Sequence, residues 1–421
     1  MLKQAVIIAG GEGKRLKKVT GDNPKILLDF DSKTLLEFQI EYLLSQDISN
    51  IHFCLGYGSN SIIKKIDELD IEYTYSLENN PLGTYGALQN AYDYLETEFF
   101  CLFGDIVLDY EISFGYKNFQ KYGSDMHLIL RYTNHPEDSD IVKIDEKNKV
   151  ISIDRDLSYP YQPLGNTSLF FCKKSALDSN ISESKKDIFK HFVKENIDKL
   201  NITSEVTLNF IRDIGTIERY EKEIDNYKNH ISKEIKYIFI DRDNTIINNR
   251  GEDNNLDKFD FKPGAIDLIK TLQNNNCKLI LVTNQPSIAK GFCTFEDVEN
   301  LNSHLQHELI RNNLKPLDGI YYCPHHPEKG FAGEVKELKI KCICRKPNEG
   351  LVLNAIKELN IKNKNFYFVG DTLSDYLLAK KFGSKCLLVK SRLTEVEKLS
   401  KLNVKVYENL KLIEKEFIGI F

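Results

Sequence analysis

Twice in this chain a short, wholly apolar run stops at residues that do not belong inside an apolar strand. Ala5-Val6-Ile7-Ile8-Ala9 runs into Gly10-Gly11, and Tyr237-Ile238-Phe239-Ile240 runs into Asp241-Arg242-Asp243. A continuous apolar run of about five residues marks a parallel strand buried on both faces. Ligands of open α/β sheets bind beyond the carboxyl ends of such strands. The chain therefore begins an α/β sheet twice. Its 421 residues suit about two or three domains at roughly 150 residues each. We expect two, 1–228 and 236–421, joined by a linker at 229–235.

Further strands are expected at 51–55, 71–75, 99–103, 126–132 and 168–172, with helices at 34–46, 84–95, 184–199 and 218–229. After the restart, strands are expected at 278–283, 319–322, 366–369 and 385–389, and helices at 264–275, 295–312, 349–359 and 374–382. His304 and His307 read as surface residues of a helix. The Lys/Glu-rich tail at 394–417 reads as a strand and a solvated helix face.

Composition narrows the function. With 57 Lys+Arg against 62 Asp+Glu and a net charge of −5, nothing draws the chain as a whole to nucleic acid or to an anionic membrane. Hydrophobic residues at 41% and charged residues at 28% suit folded soluble domains. No apolar run approaches the roughly 20 residues that span a bilayer, and the first residues lack a signal peptide's apolar core. A cytoplasmic location is expected; the oligomeric state is left open.

The glycine turn Gly10-Gly11-Glu12-Gly13-Lys14-Arg15 follows the first strand. Glycines let backbone N–H groups approach a phosphate closely, and Arg15 and Lys25 add positive charge. By itself such a loop also reads as a tight turn, and it is neither a Walker loop nor a dinucleotide fingerprint. Pro81-Leu82-Gly83-Thr84-Tyr85-Gly86-Ala87 is a second glycine turn; Gly104-Asp105 ends a strand; Asp213-Ile214-Gly215-Thr216 offers a second acid in a turn. Two carboxylates converging on a triphosphate suit Mg²⁺, though either alone also reads as a turn or cap residue.

As an ordered set, these segments resemble the sugar-1-phosphate nucleotidyltransferase family over about residues 1–228. The resemblance implies a Rossmann-like domain in which a sugar 1-phosphate attacks the α-phosphorus of a nucleoside triphosphate and releases pyrophosphate. Gly10, Gly11 and Gly13 would line the nucleotide, with Arg15 at its phosphates. Lys25 would stabilise the transferring phosphorus, Gly83 and Thr84 would sit near the base or ribose, and Asp105 and Asp213 would hold Mg²⁺. Lys14, Ile26, Asn166 and the Asp154-Arg155 pair depart from the family pattern, the last two in the sugar-binding half.

After the restart, Asp241 and Asp243 project two acids from a strand end; one can attack phosphorus while the other protonates the leaving oxygen. Val282-Thr283-Asn284-Gln285 ends a second strand with groups suited to phosphate, Arg345-Lys346 supplies cations, and Gly370-Asp371 ends a third strand, with Asp375 four residues later. This set resembles the haloacid dehalogenase-like phosphatases. The resemblance implies Asp241 as nucleophile and Asp243 as general acid and base. Thr283, Asn284, Arg345 and Lys346 would bind the phosphoryl group, and Asp241, the Asp243 carbonyl and Asp371 would hold Mg²⁺. Asn244 stands where the family has glycine, and asparagine tolerates a positive φ better than most residues.

Of nine cysteines, six are scattered, mostly in apolar runs; Cys323, Cys342 and Cys344 lie close to His325. Three thiolates and one imidazole suit a closed, structural, tetrahedral Zn²⁺, with His326 as the rival ligand. This loop resembles those of heptose-1,7-bisphosphate phosphatases and histidinol-phosphate phosphatases. The fusion favours the former, because removal of a 7-phosphate leaves a heptose 1-phosphate, a substrate for a nucleotidyltransferase. The N-terminal half resembles the D-glycero-D-manno-heptose 1-phosphate guanylyltransferases, so GTP is the favoured donor. The alternatives are a histidinol-phosphate-like phosphatase fusion, or one half serving only to bind sugar phosphates.

Overall fold

The computed structural model describes residues 2–21, 23–155, 161–179, 187–232, 234–248 and 256–421. They form two compact units: Met1–Arg131, Pro136–Leu157 and Leu164–Ser232 in the first, and Tyr132–His135, Ser158–Pro163 and Lys233–Phe421 in the second. The helix Ile217–Ser232 ends the first unit. Residues 229–232, expected as linker, are therefore its last turn.

In the first unit, the strand Gln4–Ala9 lies between Asn50–Leu55 and Glu98–Phe103 and runs parallel to both. Its side chains alternate: Ala5, Ile7 and Ala9 enter one core with Phe53 and Leu102, and Val6 enters the other with Leu88 and Phe170. Both faces are covered, so the run is apolar throughout. Beyond Glu98–Phe103 the sheet turns antiparallel at Leu164–Lys173, making it mixed. The expected helix at 34–46 is Leu35–Ser45, started by a capping box of Thr34 and Glu37. The expected helix at 184–199 appears as the turns Ile188–Val193 and Lys194–Asn196; residues 184–186 lie outside the described ones.

Sequence reading overlooked several elements, among them the helices Ser59–Asp67 and Ile112–Lys121. It also overlooked the short strands Ile106–Asp109 and Phe210–Asp213. This last pair matters most. It is antiparallel, and its register sets Asp213 opposite Ile106, one residue from Asp105.

The second unit is built on a six-stranded parallel sheet among the described residues. Its order is Gly319–Cys323, Cys277–Asn284, Lys236–Ile240, Phe366–Gly370, Lys385–Val389 and Val406–Tyr407. The restart strand is central. Ile238 and Ile240 face the aliphatic core, and Phe239 stacks on Phe368 with ring centroids 5.2 Å apart. The tail holds the expected strand, Val406–Tyr407, but its helical part differs from expectation. It contains two helices, and the second, Leu410–Ile418, buries Leu410, Ile413 and Phe417. His304 is half-buried, edge-on to Phe259 with centroids 4.6 Å apart. Among the described residues, no helix is long and apolar enough to cross a membrane.

Phe417 is fully buried and closes the aliphatic core. Phe417→Ala is expected to destabilise the second unit by about 3–5 kcal/mol, read as a lowered denaturant midpoint.

Candidate active sites

The first site lies where the Gln4–Ala9 and Glu98–Phe103 strands end. Gly13 sits in the left-handed region with φ 64°, and the Lys25 side chain crosses it so closely that a Cβ there would lie 2.5 Å from Lys25 Cγ. Lys25 Nζ reaches Asp105 Oδ2 at 2.7 Å. A Cβ placed on Gly215 would lie 3.2 Å from Asp213 Oδ1, 3.4 Å from Arg15 Nη2 and 3.7 Å from Asp105 Oδ2. One point thus gathers both acids and the arginine. Asp213 Oδ1 also accepts from Arg219 Nη1 at 2.7 Å. Burial pushes the Asp213 carboxyl up, but Arg219 and the Gly215 N–H outweigh it and hold the group below the usual range. Gly11 faces open space, as a loop that admits a ligand must.

Other expected members lie differently. The Thr84 hydroxyl accepts the Ile188 N–H at 2.8 Å, so it pins a distant helical turn where a nucleotide contact was expected. Gly83 begins the helix Gly83–Asn90. Of the departures, Lys14 is exposed and pairs with Glu12, whereas Ile26 is buried and packs towards Gly104.

The second site lies at the ends of three adjacent strands. Asp241 follows Lys236–Ile240, and its N–H donates to the Val369 carbonyl at 2.9 Å. Its Oδ1 is 2.8 Å from Lys346 Nζ; although buried, that oxygen makes no hydrogen bond of good angle. Lys346 Nζ also donates to Asp375 Oδ1 at 2.7 Å. Asp375 Oδ2 meanwhile caps its own helix through Thr372. Gly370 permits this approach, since a Cβ there would lie 2.4 Å from Asp375 Cγ. Asp371 Oδ2 accepts from Ser391 Oγ at 2.6 Å.

Ligand atoms of Asp241, Asp371 and Asp375 lie within 4.8 Å of one another. Burial pushes Asp241 up to about 6, with Asp375 and Asp243 adding to the rise and Lys346 opposing it. Burial, then Asp241 and Asp375, push Asp371 up to about 7. Three buried carboxylates outnumber the ammonium groups near them, Lys346 and Lys262, and a buried Asp241 oxygen without a well-angled hydrogen bond fits a divalent cation. Asn244 stands in the left-handed region with φ 58°, as its place in a glycine position requires.

Thr283 is buried, and its Oγ1 accepts from Gln285 Nε2 at 3.1 Å. Asn284 differs from expectation: its amide brackets the Lys346 backbone, accepting from the N–H at 2.9 Å and donating to the carbonyl at 3.2 Å. It therefore places Lys346, where a phosphate contact was expected. Arg345 Nη1 donates to the His325 carbonyl at 3.2 Å, tying the cation-bearing loop to the cysteine cluster. There Cys323 Sγ lies 3.5 Å from Cys342 Sγ and 3.2 Å from Cys344 Sγ, with His325 Nδ1 3.2 Å from Cys344 Sγ. Zinc–sulfur bonds of about 2.3 Å imply sulfur separations of about 3.8 Å, close to this geometry. His326 turns its Nδ1 to the Glu328 carbonyl.

A model of the family described as Nucleotidyl transferase matches residues 4–230, more than half of the chain. The chain belongs to the nucleotidyl transferase family. A model described as HAD-hydrolase-like matches residues 343–411 of this nucleotidyl transferase. The D-glycero-beta-D-manno-heptose-1,7-bisphosphate 7-phosphatase of Haemophilus ducreyi is 41% identical over 150 residues, covering 36% of this chain and 80% of that protein. The Escherichia coli K12 protein of the same name is 39% identical over 160 residues, covering 38% and 81%. The second unit thus belongs to that phosphatase family. A crystal structure of HddC from Yersinia pseudotuberculosis complexed with GMP-PN is 27% identical, covers 54% of this chain and all of its own (100%), and has a TM-score of 0.44.

Several side chains at the two sites of this nucleotidyl transferase escaped sequence reading. Glu78 lies against Gly10 and Gly56, with Oε2 accepting from the Leu82 N–H at 3.0 Å. Gln285 and Arg242 both donate to Asp243 Oδ2, at 2.5 and 3.1 Å. Only the acid just before the Pro81-Leu82-Gly83 turn, and the position of Arg242 between two aspartates, could have signalled them.

The raised carboxyls set a pH dependence. A carboxyl with a higher pKa in the folded state binds protons that the unfolded chain has shed. Without metal, the second unit therefore loses stability as pH rises from about 4 through 7. A divalent cation at these acids opposes that loss. Mg²⁺ is expected to raise the melting midpoint more at pH 8 than at pH 5, with a chelator as the reference.

Proposed function

We propose that the chain performs consecutive steps of heptose activation. The second unit removes the 7-phosphate of D-glycero-D-manno-heptose 1,7-bisphosphate. The first transfers a nucleotidyl group, from GTP by preference, to the resulting heptose 1-phosphate and releases pyrophosphate. The observation that carries this reading is one chain holding two strand-end acid sites, one in each family's fold, where the product of one reaction is the substrate of the other.

In the phosphatase unit, an Asp241 carboxylate oxygen attacks phosphorus and forms an aspartyl-phosphate, while Asp243 protonates the departing sugar oxygen. Water then attacks the same phosphorus, and Asp243 takes its proton. Lys346 and Thr283 bind the phosphoryl oxygens, and Asn284 and Asp375 hold Lys346 in place. In the transferase unit no covalent intermediate is needed, so positioning and charge supply the catalysis. The glycine loop cradles the phosphates, and Arg15 and Lys25 meet the charge developing at the α-phosphorus. Asp105 and Asp213 in one unit, and Asp241, the Asp243 carbonyl and Asp371 in the other, would hold magnesium, which would supply neutralisation of phosphoryl charge. Cys323, His325, Cys342 and Cys344 would hold zinc, which would supply a crosslink steadying the loop that carries Arg345 and Lys346. The preference for GTP is supported by the order of the N-terminal motifs. It is also supported by the Glu78 carboxylate beside Gly10, since a guanine edge presents adjacent N–H donors and a carboxylate accepts them.

Incubation with heptose 1,7-bisphosphate and each nucleoside triphosphate, with products read by mass, tests the reading; GDP-heptose is expected to dominate. Asp105→Ala is expected to abolish pyrophosphate release and leave phosphate release intact, and Asp241→Ala the reverse. If either variant keeps both activities, that site assignment is wrong. Elemental analysis is expected to find zinc in the purified protein, and its loss in Cys342→Ser.

A further inference from the structure

Asp243 is held in an unusual way for a group that must carry a proton back and forth. Both donors that reach it act on a single oxygen. Gln285 Nε2 donates to Oδ2 at 2.5 Å and to Thr283 Oγ1 at 3.1 Å. Arg242 Nη2 donates to the same Oδ2 at 3.1 Å, while its Nη1 donates to Asn302 Oδ1 at 2.9 Å. Gln285, Arg242 and Asn302 are all buried. Gln285 follows the end of the strand Cys277–Asn284, and Asn302 sits on the helix Phe295–Arg311. Asp243 is thus fixed from two separate elements. Its Oδ1 has no hydrogen bond among the described residues.

We propose that Gln285 and Arg242 are positioning residues that assign the two oxygens of Asp243 separate tasks, Oδ2 for anchoring and Oδ1 for carrying the proton. The proposal rests on the reading of Asp243 as general acid and base. An acceptor oxygen keeps both hydrogen bonds whether or not the other oxygen is protonated, so the carboxyl passes through its proton cycle without turning. In the first step the Asp241–phosphorus bond forms and the phosphorus–sugar oxygen bond breaks. The electron pair goes to the sugar oxygen, and the proton on Asp243 Oδ1 joins it. The guanidinium of Arg242 then faces the carboxylate this leaves behind, a charge-assisted contact. In the second step water attacks phosphorus, the Asp241–phosphorus bond breaks, and Oδ1 takes the water's proton.

The test compares leaving groups. A sugar alkoxide needs the proton, whereas para-nitrophenolate departs without it. Gln285→Met preserves volume and removes the donor; Arg242→Lys preserves charge and removes the fork. For each, kcat/KM is measured on heptose 1,7-bisphosphate and on para-nitrophenyl phosphate in the same preparation, so any unfolded fraction cancels in the ratio. The expected result is a loss at least about tenfold greater on the sugar phosphate, within the roughly 10²–10⁴-fold that general acid catalysis contributes. An equal loss on both substrates, or none, overturns the proposal. Asp243→Asn separates the two levels. If it too shows no leaving-group dependence, the reading of Asp243 as the acid fails. If it shows the dependence and the other two variants do not, only the positioning role fails.

Discussion

A parallel strand covered on both faces admits a polar side chain along its length only where a partner satisfies it, as for Gln4 and His52, so its chemistry is pushed to its end. Both units are organised by that constraint. Gln4–Ala9 and Lys236–Ile240 each lie between two parallel neighbours, and each site begins at the residue where the strand stops. Adjacent strands end at the same level, which brings Gly104-Asp105 to the first glycine loop and brings Thr283, Asp371 and Asp241 together in the second unit.

The two sites handle charge differently. In the second unit, Asp241, Asp371 and Asp375 are buried, and Lys346 forms ion pairs with Asp241 and Asp375. The site carries excess negative charge in a poorly solvated place, and two of its carboxyls hold protons more tightly than usual as a result. In the first unit each acid has its own cation, Lys25 for Asp105 and Arg219 for Asp213. These pairs are partly exposed and add little to stability. Their value lies in holding the carboxylates in place.

Much of the chemistry was readable from residue order. Strand-end acids, glycine turns and the Cys-x-His and Cys-x-Cys pattern are local signals, and the three thiols and His325 do come together, their ligand atoms within 4.8 Å of one another. Thr84 and Asn284 each have a structural role that sequence reading did not foresee. A hydroxyl or amide in a phosphate-rich motif looks like a ligand contact, yet here each is spent on a backbone group far along the chain, 104 residues away for Thr84 and 62 for Asn284. The burial of the tail's last helix was missed because alternating charge hides its apolar face, Leu410, Ile413 and Phe417.

The sequence by itself determined that there are two main α/β sheets, where each begins, and which acids stand at the ends of their first strands, because burial pattern and donor chemistry are properties of short segments. Tertiary structure alone decided that Asp213 meets Asp105 through the register of a short antiparallel pair. It also decided that Asp375 shares Lys346 with Asp241, and that Gln285 and Arg242 converge on one oxygen of Asp243. Each of these is a choice of partner across the fold, and hydrogen bonds and ion pairs are settled by which segments packing brings within about 3 Å.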